Sequence, residues 1–281
     1  MGNLPDEMMR RCAALACVVA AAAPSPPELA LLPLPAFDDA TAWRLLGLRG
    51  LHVGSGLGLP AGCLNTDVDG VATGGVGTNA SAPFARVAVD DAAAPLRFFL
   101  QHDATRPFPV AAGAFDWVFA EHFIEHVPRA GAVAFLKEAR RLLGAGGGVV
   151  RLSTPDLALY VAAYADPAGA FVDAHHAAMT TGPMAGFNGD LRKTGPALLN
   201  ALFHDYGHGG GYIYDGDELL RLVGDAGLLR GRGGDCDVEL GAFRTSRALP
   251  DVARALDDPV KAHESLYADL VCGDAGRRPP V

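Results

Sequence analysis

The chain has no apolar run of about 18 residues, the least that would carry a helix across a bilayer. It is short of positive charge: 23 Lys+Arg stand against 32 Asp+Glu, a formal net charge of −9. A polyanion held by clustered basic residues is therefore disfavoured, and nucleic acid is not expected as a partner. It has no C-x-x-C pair, and its 5 cysteines (Cys12, Cys17, Cys63, Cys236 and Cys272) are odd in number and scattered. Neither a disulfide scaffold nor a zinc ribbon is expected from them; the expectation is scattered buried thiols in a reduced compartment. No internal repeat is visible, which sets aside repeat architectures.

What is present suits a large globular domain. The 281 residues are 50% hydrophobic and 20% charged, enough for a sizeable core. The 35 Gly and 20 Pro predict many loops. Residues 1–38 read as an Ala/Pro-rich extension. Arg10 and Arg11 precede an apolar stretch from Cys12 to Ala23, which runs into Pro24-Ser25-Pro26-Pro27. That order is similar to a targeting signal, so an organelle or secretory destination through residues 8–24 stands as the alternative to a cytoplasmic protein. The stretch is mostly Ala, however, a strong helix former that is only weakly apolar. Asn79-Ala80-Ser81 fits a glycosylation sequon, a triplet that chance often supplies.

Beyond Asp39 short apolar runs alternate with helical patterns. Strands are expected at Leu51–Val53, Cys63–Val68, Leu96–Gln101, Phe115–Ala120 and Val149–Ser153. Residues 70–94, rich in Gly, Ala and Val, read as an insertion loop. Ala132, Phe135, Leu136, Ala139, Leu142 and Leu143 recur at helical spacing, with Gly144 at the stop. A second helix is expected over Asp217–Ala226, with Asp215 and Glu218 at its start and Gly227 after it. Residues 157–214 form a less regular, lid-like segment, and 228–238 and 264–272 are two candidate closing strands. Alternation of strand and helix through 50–156 argues for an α/β fold, a mostly parallel sheet covered by helices on both faces.

Chemistry concentrates at strand ends. Gly54-Ser55-Gly56 follows the first strand, Asp67 ends the second, and Asp103 follows the third. Glycines there let backbone approach a ligand, and an acid can accept from both ribose hydroxyls. Gly54 and Asp67 are 13 positions apart, where a dinucleotide fingerprint has roughly 20, which disfavours an NAD enzyme.

The runs LHVGSG, LNTDVD, QHDATRPFP, AFDWVFAEHFIEHV and FLKEARRLLGAGGGVVRLSTPD resemble class I S-adenosylmethionine-dependent methyltransferases, more narrowly the type 11-like family. The resemblance implies a Rossmann-like sheet of seven mostly parallel strands with the last antiparallel, in a domain spanning 39–281. It implies S-adenosyl-L-methionine as cofactor, with Gly54, Ser55 and Gly56 at its amino acid end, Asp67 at the ribose, and Asp103 and Ala104 at the adenine. Glu121 and His122 would flank the reacting methyl, His122 as candidate base. His204, Tyr206 and His208 would line an acceptor lid. This sequence departs from the family in its long 70–94 stretch, in Ser55 where many members carry Cys, and in its leader. No Asn-Pro-Pro-Tyr run occurs, so the signature of nucleic-acid and glutamine amino-group methylation is missing, and a small-molecule acceptor is expected.

A competing motif overlaps. His122-Phe123-Ile124-Glu125-His126 matches H-x-x-E-H, an inverted zinc-peptidase signature. Pro128 shortens any helix there, so metallopeptidase is the alternative and no metal is expected. A catalytically inactive cofactor-binding module is the third reading.

Overall fold

The computed structural model describes residues 29–31, 40–56, 58–68, 84–87, 97–166, 168–182, 184–185 and 191–273. Most of the 1–38 extension, Cys12, Cys17, the Asn79 sequon and all of the insertion but 84–87 lie outside the described residues. The strands are β1 (Leu29–Leu31), β2 (Gly50–Val53), β3 (Cys63–Asp67), β4 (Phe84–Val87), β5 (Arg97–Gln101), β6 (Trp117–Glu121), β7 (Gly148–Pro155), β8 (Cys236–Gly241) and β9 (Ser265–Cys272). The helices are α1 (Ala40–Leu45), α2 (Arg129–Leu143), α3 (Leu157–Ala165), α4 (Ala170–Thr180), α5 (Gly195–Asn200), α6 (Gly216–Asp225) and α7 (Pro250–Leu256).

All nine strands form one sheet in the order β1-β4-β5-β3-β2-β6-β7-β9-β8. From β5 to β7 every pairing is parallel, and β9 runs antiparallel to both β7 and β8. Those seven strands are the Rossmann-like core expected. To them the structure adds β4, which pairs antiparallel with β5, and β1, which pairs antiparallel with β4. Part of the supposed insertion loop is thus sheet.

The central strands are short apolar runs because both faces are covered; Gly50–Val53 is buried throughout. Gly50 is required where β2 meets β6, since a Cβ there would overlap the Trp117 ring. On α2 the buried residues are Ala132, Phe135, Leu136, Ala139, Leu142 and Leu143, the stripe read from spacing. Asp215 caps α6 by accepting from the Glu218 N–H at 2.8 Å, which satisfies one of the helix's otherwise unpaired donors.

Three expectations need correction. Segment 157–214 is a helical cap, α3 to α5 and a wide π-type turn at Ala201–Asp205, rather than irregular chain. It has its own core of Tyr160, Val172, Met179, Leu198 and Leu202 among others. Residues 228–235 form a turn, and β8 begins only at Cys236. Finally, Cys236 and Cys272 face each other across β8 and β9 and form a disulfide, against the reading of scattered thiols. Among the described residues only Cys63 is a free thiol, and burial pushes its pKa up to about 12.

Candidate active site

Register sets the site. Val53 of β2 lies opposite Thr66 of β3 and Ala120 of β6, and Asp67 lies opposite Gln101 of β5. The loops leaving β2, β3, β5 and β6 therefore emerge side by side at the carboxyl edge of the sheet. Parallel α/β sheets collect ligands at this edge, at the switch point where chain order reverses.

Gly54 and Gly56 both take positive φ, 67° and 52°, which glycine adopts without the Cβ penalty. Between them the Ser55 N–H donates to the Thr66 carbonyl at 3.1 Å, carrying the ladder one residue past β2. The turn then brings the Gly56 N–H to Asp67 Oδ2 at 2.9 Å, and Asp67 Oδ1 accepts from the Val68 N–H at 2.7 Å. Asp67 remains partly exposed. Ser55 Oγ is buried with no hydrogen-bond partner among the described residues. A buried hydroxyl left unpaired costs free energy, and a polar ligand group at the glycine loop would satisfy it. Asp103 organises the next loop: Oδ1 accepts from Thr105 N at 3.0 Å and Thr105 Oγ1 at 2.7 Å, and Oδ2 pairs with Arg106 at 3.3 Å. The Thr105 hydroxyl in particular holds its pKa below the usual range, so Asp103 presents a carboxylate. Ala104 is nearly buried and packs in the main core.

After β6 the chain turns sharply. His122 has φ 47°, uncommon for a residue with a Cβ and seen often where function over-determines the backbone. Its Nε2 lies 2.6 Å from Ser265 Oγ, and that hydroxyl donates to the Lys261 carbonyl at 2.7 Å. Ser265 therefore accepts from His122, which places the ring proton on Nε2. Nδ1 is 3.3 Å from Glu125 Oε1. Burial, then Lys261 and the neighbouring histidines, push the His122 pKa well below its ordinary value. Glu121 Oε1 accepts from the Asp258 N–H at 2.9 Å, and burial raises its pKa.

The structure brings Glu121, His122 and His208 to this corner, with Tyr206 beside them. His208 is buried and its ring centroid is 4.8 Å from that of His126. Tyr206 OH is 3.3 Å from His175 Nε2. His204 is exposed, unlike its lid companions. The zinc-peptidase geometry is not formed. Only Ile124–His126 makes a single tight helical turn, and the donor group that could hold a metal here includes Glu125, His126 and His208 but not His122. Sequence reasoning missed Glu125 as an interior group, fully buried with its pKa pushed up to about 8 by burial. It also missed the cluster of Tyr160, His175, His263 and Glu264, drawn from 3 separate segments with no shared motif.

The fold is a doubly wound α/β sheet whose switch point lies at this edge, where such sheets bind their ligands. Residues 51–150 match the family model described as methyltransferase domain. That stretch, which runs from β2 into β7 and holds every cofactor-site candidate, is therefore similar to a methyltransferase domain. No curated protein matches the chain in sequence. Solved structures similar to it include magnesium protoporphyrin IX methyltransferase from Synechocystis PCC 6803 with bound SAH, at 14% identity over 83% of this chain and 78% of that one, TM-score 0.40. The plantazolicin methyltransferase BpumL in complex with SAH is 9% identical over 83% and 80%, TM-score 0.43. A possible exported protein from Bordetella parapertussis is 13% identical over 83% and 67%, TM-score 0.40.

Proposed function

We propose that the chain transfers the methyl group of S-adenosyl-L-methionine to a small-molecule acceptor, within one domain over 39–281 whose helical cap, 157–214, serves as the lid. One observation carries the reading: the Gly56 N–H closes onto the Asp67 carboxylate at the edge where the Asp103 loop also emerges. Three separated stretches would thereby cradle one adenosine. Gly54, Ser55 and Gly56 hold the amino acid end, with Ser55 Oγ gaining the partner it lacks. Asp67 accepts from the ribose hydroxyls, and Asp103 and Ala104 border the adenine.

When bound, the cofactor supplies a methyl already activated on a sulfonium. The residues of this chain orient it for in-line displacement, and positioning of that kind lowers barriers by roughly 7–11 kcal/mol in well-oriented models. His122 serves as a positioning residue rather than an open base, because Nε2 donates to Ser265, Nδ1 faces the buried Glu125, and burial keeps the ring neutral. Glu121 braces the 258 loop beneath the same corner. The acidic net charge of −9 favours an acceptor other than a polyanion.

Thermal shift with S-adenosylhomocysteine tests this. The full chain is stabilised by it and indifferent to NAD, whereas Asp67→Ala folds but loses the shift. Equal shifts in the two proteins would contradict the assignment. An acceptor screen scored by S-adenosylhomocysteine release then identifies the substrate.

A further inference from the structure

We propose that Glu125, His126 and His208 bind a divalent transition-metal ion of the Zn2+ class where the helical cap meets the sheet edge. One donor atom from each of the three lies within 4.8 Å of the others. The protonation pattern makes the cluster a ligand set rather than a hydrogen-bonded network. His208 Nδ1 donates to the Leu202 carbonyl at 2.5 Å. His126 turns its Nδ1 toward Gly207, where a Cβ would stand 3.4 Å from it. A carbonyl can only accept, so the His208 ring spends its proton on the cap backbone and keeps a lone pair on Nε2; a His126 proton on the Gly207 side would leave Nε2 free in the same way. His126 Nε2 then stands 3.8 Å from Glu125 Oε1.

Glu125 is 0% exposed; its Oε2 accepts from Thr154 Oγ1 at 3.2 Å, while Oε1 has no hydrogen-bond partner among the described residues. His122 Nδ1, 3.3 Å from that oxygen, contributes another lone pair, because its proton is on Nε2 toward Ser265. A buried carboxyl oxygen facing imidazole lone pairs is satisfied by a proton or by a metal cation, and metal uptake separates the two. Histidines whose far nitrogen donates to a carbonyl are the usual outer support of such an ion. Two imidazoles and one carboxylate suit Zn2+ better than the oxygen-seeking Mg2+ or Ca2+, and leave a fourth position open. The His126 side chain, 39% exposed, gives that position an approach from solvent. The ion would also clamp residues about 80 positions apart (125–126 and 208), holding the cap to the sheet.

This assignment differs from the H-x-x-E-H reading, in which His122 would be a ligand and Glu125 a base. It is independent of the methyl-transfer reading. The second group of donors, His175, His263 and Glu264, is the internal control. There the Tyr160 hydroxyl already donates to Glu264 Oε2 and lies 3.5 Å from His175 Nδ1.

The test strips the full chain with a chelator and titrates Zn2+ by calorimetry, with Co2+ absorption reporting geometry. Wild type should take up one tightly held equivalent and give tetrahedral Co2+ bands. Glu125→Gln, His208→Asn and the half-exposed His126→Asn should each weaken uptake on the order of tenfold or more. His204→Ala and His263→Ala should leave it unchanged. Circular dichroism of the metal-free proteins identifies any variant that fails to fold, and His126→Asn, at an open site, keeps the test available if the buried variants do. The proposal is overturned if wild type binds no equivalent, so that a proton alone occupies the cluster. It is equally overturned if uptake survives in folded His126→Asn and disappears in His263→Ala. S-adenosylhomocysteine binding measured on the same samples separates this result from the cofactor assignment.

Discussion

At the scale of single residues, the corner after β6 depends on groups that tolerate no substitute. Gly211 sits so close to the Glu125 carbonyl that a Cβ would overlap it, and the Tyr212 N–H donates to the same oxygen at 3.2 Å. Gly211→Ala should therefore destabilise the protein by about 1–3 kcal/mol, the range for a forced overlap in a packed region. Urea unfolding would measure it, and an unchanged midpoint would show that the 207–212 loop is free to move away. Buried histidines set the acid limit. Burial lowers His52 to about 4 and His175 to about 3. Each is neutral when folded but titrates near 6.5 when unfolded, so the unfolded chain binds more protons below that pH. Their contribution is complete above pH 6.5 and is lost as pH falls toward 4 and then 3. For His52 the shift corresponds to about 3 kcal/mol as an order of magnitude. Denaturation midpoints should fall across pH 6.5 to 4, less steeply in His52→Asn; identical slopes would remove His52 as the cause. The glycines, Asp67 and Asp103 were legible because each follows an apolar run. Glu125 was not, because burial of an acid depends on what the rest of the fold stacks over it.

At the scale of elements, local period made most of the core readable and long-range register made the rest opaque. The α2 stripe shows in its spacing because one face is buried and the other carries Lys137, Glu138, Arg140 and Arg141. Helix α3 has no such contrast: Leu159, Val161 and Tyr164 are exposed while Tyr160 and Ala163 are buried, so apolar residues surround it. The pairing of Cys236 with Cys272 and the pairing of β4 with β5 arise from register between distant segments, which no local pattern encodes. Arg151 on β7 shows what such register achieves. Fully buried, it pairs with Asp257 through two nitrogens and with Asp269 of β9 at 2.9 Å, and it bonds the Thr245 and Ala242 carbonyls. It thereby ties the 242–257 segment to the sheet. Removing one partner of a buried pair leaves uncompensated charge, so Arg151→Met should cost about 3–5 kcal/mol in chemical denaturation. Adding Asp257→Asn should recover part of that loss. A loss below about 1 kcal/mol would show that water already solvates the group.

At the scale of the whole molecule, a seven-stranded mixed core carries the glycine loop and both acids at one edge, two short strands lengthen it beyond β5, and the helical cap has a core of its own. No helix among the described residues is long and apolar enough to cross a membrane. The order of a glycine loop and two acids at successive strand ends could be read before any coordinates, since in a parallel sheet each strand delivers its own carboxyl end to one edge. The meeting of cap and edge could not, because His208 and His126 come together only through tertiary packing. The proposed function requires Gly54–Gly56, Asp67 and Asp103 to converge on one ligand. Calorimetric titration of S-adenosylhomocysteine into the full chain tests that most directly. It should show one bound equivalent in wild type and none in Asp67→Ala of unchanged fold; an affinity unaffected by that substitution would contradict it.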